Sequence, residues 1–157
     1  MSILLQEEGL GDRAVIYATD INTRVLEQAR MGIYHEKQWV SASDNYLVSG
    51  GRSQLQDYVS TGYERFMMDP VLKKNIVFTQ HDLVTDQVFG EMQLVICRNV
   101  LIYFRRELQE RVLALFYQSL DMGGFLGLGI KESLGTTPLR QHFRAIDAAT
   151  RIFQRID

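Results

Sequence analysis

The stretch QLVICRNVLIYF, residues 93–104, decides how the rest of the chain is read. Leu94, Val95 and Ile96 read as a strand buried on both faces, and Val100, Leu101 and Ile102 are nearly as apolar. Arg98 and Asn99 stand between them, where the strand should stop. A guanidinium and an amide placed there suit a strand that ends at a site. In open α/β sheets, ligands bind beyond the carboxyl ends of the strands.

Two further segments repeat the pattern. AVIYATD (14–20) is an apolar run closing on Asp20, and the strand over Asn75–Gln80 is followed by Asp82. Between them, INTRVLEQARMGIY (21–34) predicts a helix capped by Asn22 or Thr23 and ended by Gly32. MSILLQEEGL predicts the last turns of a helix, with Gly9 and Gly11 as stops. RRELQERVLALFYQSL (105–120) predicts a helix with Leu108, Val112, Leu115, Phe116 and Leu120 on one face, and DMGGFLGLGI a turn into a fourth strand. FRAIDAATRIFQRI predicts a closing hairpin around Asp147, Ala148 and Ala149. Residues 35–74 have no clear period and are expected to hold short strands in an inserted subdomain. Together these elements predict an α/β fold with an open sheet, and one catalytic domain over 1–157.

Composition narrows the function classes. Apolar residues make up 46% of 157 and charged residues 23%, with a formal charge of −2, so no nucleic-acid or membrane surface is expected. The one cysteine, Cys97, excludes an internal disulfide and a cysteine zinc cage and reads as a small core residue; no metal site is expected. His81 reads as a loop residue, and His35 and His142 carry no signal. No apolar run approaches the ~20 residues a spanning helix needs, and no signal-peptide pattern opens the chain, so a cytoplasmic location is expected.

Taken in order, ATDIN, VLEQARMGIY, NIVFTQHDL, LVICRNVLIYF and GGFLGLGIKESL resemble the CheR-type chemotaxis protein-glutamate O-methyltransferases. The resemblance is weakest over residues 35–65. It implies a Rossmann-like S-adenosylmethionine-dependent sheet, with S-adenosylhomocysteine as product and the cytoplasmic helices of methyl-accepting chemotaxis receptors as partners. It also implies roles. Asp20 would accept hydrogen bonds from the cofactor ribose, and Asp82 and Leu83 would lie beside the adenine. Arg98 and Asn99 would flank the methionine portion, and Tyr103 would lie near the methyl group, so that Arg98 and Tyr103 are the catalytic candidates.

Each assignment has a structural rival. Asp20 could cap the following helix, Arg98 could pair with Asp82 or Asp20, and Tyr103 could belong to the core. As an ordered set, the functional reading prevails for Asp20, Arg98 and Asn99. The family's domain opens with a first strand and a Gly-rich loop, and this chain begins inside the helix that follows them. Weak or absent cofactor binding is therefore expected, with strands two and four pairing directly or a second copy or exchanged strand filling the gap. The stretch LQDYVSTGYERFMMDPVLKKNIVF, where some members of the family carry a Gly-rich docking loop, is short and carries only Gly62, so direct recognition of the receptor methylation region is expected rather than docking on a receptor tail peptide. The alternative is a non-catalytic module that binds a signalling partner. A nicotinamide oxidoreductase fits poorly, because no GxGxxG precedes a helix.

Overall fold

The computed structural model describes residues 1–88, 90–135 and 137–157. The chain divides into two compact units, Met1–Asp82 and Leu83–Asp157.

In the first unit, helix α1 (Ser2–Glu7) leads to strand β1 (Ile16–Asp20) and helix α2 (Thr23–Met31). Asn22 caps α2 by accepting the Arg24 N–H at 3.0 Å. Gly32, at φ 68°, closes the helix in the left-handed conformation that glycine adopts without cost. Strand β2 (Ile33–His35) follows, then helix α3 (Trp39–Val48), strands β3 (Val59–Gly62) and β4 (Arg65–Met68), and strand β5 (Ile76–Gln80). Strands β1 and β5 pair in parallel, with Asp20 opposite Gln80, and α2 packs on the pair.

Strands β2, β4 and β3 form a separate antiparallel sheet in that order. Phe66 at its centre stacks on Tyr34 and takes the edge of Trp39, with centroids 5.5 and 5.2 Å apart. The strands expected in residues 35–74 are present, and β2 begins two residues earlier, at Ile33. Helix α3 was not anticipated. Its sequence, WVSASDNYLV, is rich in residues that favour caps and strands, and burial of Tyr46 holds it in place.

The second unit holds strand β6 (Met92–Cys97), helix α4 (Arg106–Ser119), strand β7 (Leu120–Leu128) and strands β8 (Phe143–Asp147) and β9 (Ile152–Arg155), in sheet order β6–β7–β9–β8. β6 and β7 are parallel; β9 runs antiparallel to both of its neighbours. The core gathers Val112, Leu113 and Phe116 of α4 over Leu126 and Leu128 of β7, with Leu134, Phe143 and Phe153.

Three expectations are corrected here. On α4, Leu113 is buried beside Val112 and Phe116, while Leu115 is only half-buried, so the inward face is centred one position from the one expected. No turn separates α4 from β7; Leu120 is already the first strand residue. β6 is buried on one face only. Val95 and Cys97 point to α4, while Leu94 and Ile96 are 43% and 52% exposed. The closing hairpin is as expected, with Asp147 Oδ1 accepting the Ala149 N–H at 2.8 Å in its turn.

Among the described residues, β1 is hydrogen-bonded to one strand, β5, and β6 to one strand, β7. No helix among them is long and apolar enough to cross a membrane.

Candidate active site

In the first unit, Asp20 ends β1. Its Oδ1 accepts the Asn22 N–H at 2.8 Å, so Asp20 shapes the turn before α2 while Asn22 serves as the cap. The second carboxylate oxygen has no partner among the described residues. The Asp20 carbonyl accepts the His81 N–H at 3.2 Å, which carries the β1–β5 pairing up to the strand ends. Asp82 lies two residues past β5 and is half-buried. Thus Asp20 and Asp82 both follow the carboxyl ends of paired parallel strands.

In the second unit, Leu83 is half-buried and packs against the core. Arg98, Asn99 and Tyr103 share one segment, running from the end of β6 through a 3-10 turn, Leu101–Tyr103. Leu101 anchors that turn at 2% exposure. Arg98 is exposed and forms no ion pair or hydrogen bond among the described residues. Asn99 is exposed and adopts φ 60°, a left-handed conformation in which asparagine is tolerated. Tyr103 is 80% exposed, which removes it from the core.

What shapes this segment is a residue the sequence did not single out. Glu132 is 4% exposed, the one fully buried charged residue among those described. Its Oε1 accepts the N–H groups of Val100 and Leu101, both at 2.8 Å. Its Oε2 accepts those of Asn99 at 3.0 Å and Gly129 at 2.6 Å. The left-handed Asn99 followed by Val100 in the helical region turns three consecutive N–H groups to one side, an anion-binding nest filled by the chain's own carboxylate. Burial pushes the Glu132 carboxyl up, but the N–H groups of Gly129, Asn99, Val100 and Leu101 outweigh it and hold the group below its ordinary value. The available signal was an acid four residues beyond a fully apolar strand end, in GLGIKE.

Gly129 makes the close approach possible. A Cβ there would lie 2.6 Å from Glu132 Oε2 and 2.9 Å from the Asn99 nitrogen. Cys97, just before the segment, is buried. Its thiol is pushed up to about 12, first by burial and then by the Glu132 charge, so it is an inert core residue. Outside the nest, a cavity of about 330 Å³ is lined by Leu101, Ile102, Arg106, Lys131 and Glu132 among others.

S-Adenosylmethionine presents ribose hydroxyl donors, an amino-acid carboxylate and amino group, and a sulfonium. The free Asp20 oxygen offers an acceptor, Asn99 an exposed amide and Arg98 an unpaired cation. Within each unit, the donor set fits the group.

Comparison with known proteins gives the same direction. A family described as "CheR methyltransferase, SAM binding domain" matches residues 1–152. The chain is 46% identical over 155 residues to a Pseudomonas putida protein named as methyltransferase Cher3, covering 99% of this chain and 57% of that one. It is 32% identical over 132 residues to a "Chemotaxis protein methyltransferase" of Listeria monocytogenes, covering 83% of this chain and 47% of the relative. With "Chemotaxis protein methyltransferase 1" of Pseudomonas aeruginosa it shares 30% over 144 residues, 89% and 48% of the two chains. The chain thus spans about half the length of these relatives. It belongs to the CheR methyltransferase family, as its S-adenosylmethionine-binding domain.

Proposed function

We propose that this chain carries the catalytic half of a protein-glutamate O-methyltransferase acting on the cytoplasmic helices of chemotaxis receptors. The observation that carries the reading is the Arg98 guanidinium, exposed and unpaired among the described residues on a segment whose backbone is tied down at the carboxyl end of a parallel strand.

The cofactor, when bound, supplies an activated methyl group for in-line transfer to a carboxylate. A glutamate side chain is already ionised at neutral pH, so the protein needs no general base. Its task is to orient the acceptor and to offset the cost of bringing a negative charge out of water. Arg98 supplies that charge partner and helps hold the methionine portion. Asn99 offers its amide to the same portion, and the free oxygen of Asp20 accepts from the ribose. Asp82 and Leu83 border the adenine. Tyr103, exposed beside Arg98 in sequence, offers a hydroxyl donor or an aromatic face to a cation.

The insert favours direct recognition of the methylated helices. Its β3–β4 connection is a tight two-residue turn, Tyr63–Glu64, rather than an extended loop.

The test is transfer of labelled methyl groups to receptor-containing membranes by a chimera in which this chain replaces its match in the Pseudomonas putida relative. Alkali-labile label on receptor glutamates is expected, falling at least tenfold in Arg98→Ala. Receptor binding without transfer would instead support a non-catalytic module, and the absence of both transfer and binding would remove both roles.

A further inference from the structure

We propose that Glu132 is the positioning residue of the candidate site: by gathering the backbone N–H groups of Asn99, Val100, Leu101 and Gly129, its carboxylate fixes the direction in which Arg98 and Asn99 leave β6, and acts on the cofactor through them. The last clause rests on the functional reading above; the first stands on geometry alone.

The argument begins with acceptor capacity. Four N–H donors converge on two oxygens, two on each, and only an ionised carboxylate offers four acceptor positions in that space. An amide of the same shape would turn an NH2 group towards two of the four donors. No cationic side chain pairs with Glu132 among the described residues, so the N–H groups themselves balance the charge.

The surroundings are arranged for this contact. Gly129 leaves room that any side chain would fill, and its own N–H makes the shortest of the four bonds. Glu132 is held in turn by its N–H on the Gly129 carbonyl at 2.9 Å. Asn99 takes a left-handed conformation that aligns its N–H with the next two. Three of the four amides that Glu132 binds are those that follow Arg98. Bound to them, it couples the end of β7 to the segment that presents the guanidinium.

The experiment is amide hydrogen exchange, resolved by residue, on the chain and on Glu132→Gln and Glu132→Asp. In Glu132→Gln, protection at Asn99, Val100 and Leu101 should fall by about tenfold or more beyond the loss at Leu126 and Leu128 in β7, which reports the fall in overall stability. Glu132→Asp, one methylene short, should fail to restore it. Unchanged protection at the three amides overturns the proposal, as does a loss there no greater than the loss in β7. Should either variant fail to fold, the unaltered chain decides: couplings through the hydrogen bonds from those amide nitrogens to the Glu132 carboxyl carbon are expected, and their absence overturns the assignment.

Titration with S-adenosylhomocysteine separates this from the functional reading. If the unaltered chain binds it, Glu132→Gln should weaken binding by about tenfold, and equal affinity overturns the link to the cofactor. If the unaltered chain does not bind, the cofactor reading of this chain fails, and the exchange pattern still decides the positioning claim.

Discussion

The carboxylate of Glu132 accepts the backbone N–H of Asn99 at 3.0 Å across 33 positions of chain, joining the loop after β7 to the loop after β6. Two parallel strands are thereby fastened together just beyond their carboxyl ends, where a ligand of an α/β sheet is bound. Gly129 is the most sensitive part of this joint. In Gly129→Ala the new methyl would press on both partners at once, and an unfolding free energy lower by about 1–3 kcal/mol is expected. Urea denaturation of the two chains checks it; an unchanged midpoint would mean that the joint is looser than described.

The same carboxylate predicts a dependence on pH. Its folded value lies below the ordinary 4.5, so its contribution is complete above that value and is lost as pH falls through the folded one. Glu132→Gln does not titrate. The stability gap between the two chains should be about 1.5–3 kcal/mol at neutral pH and should close on acidification. A gap that stays constant or widens in acid would contradict it.

Cys97 offers a chemical check on the second unit's core. With its thiol pushed up to about 12 and only 7% exposed, the folded chain should resist iodoacetamide in mildly alkaline buffer, while the unfolded chain reacts fully. Rapid alkylation of the folded chain would show that β6 is not packed on α4.

The turn between β3 and β4 carries removable strain. Tyr63 and Glu64 form a two-residue connection with φ 36° and 55°, and Tyr63 is fully exposed. Asparagine followed by glycine suits that turn. Tyr63→Asn combined with Glu64→Gly should raise the unfolding free energy by about 0.5–2 kcal/mol. A lower midpoint would show that the tyrosine ring or the carboxylate has a partner in the folded chain.

Much of this fold was legible because local signals agreed. Asn22 and Gly32 bracket α2 as their cap chemistry requires, and the polar breaks at Asp20, Asp82 and Arg98–Asn99 fall at strand ends. What failed depended on packing. α3 has weak helical propensity and is held through Tyr46, whose hydroxyl hydrogen-bonds Glu7 from α1, a partner 39 residues away. The double-faced burial expected for β6 rested on its apolar letters, which say nothing about whether a second layer covers Leu94 and Ile96. Glu132 escaped notice for a related reason. Its importance comes from four main-chain donors, and backbone groups leave no mark in a sequence.

The most direct test of the account reads the cofactor contacts of each unit separately. Backbone amide spectra of the chain would be followed through a titration with S-adenosylhomocysteine to millimolar concentration, alongside Asp20→Asn. The account predicts progressive shifts at Asp20 in the first unit and at Arg98 and Asn99 in the second, with those of the first unit weakened in Asp20→Asn. No shift at these three residues, or shifts at the first unit left unchanged by Asp20→Asn, would contradict it.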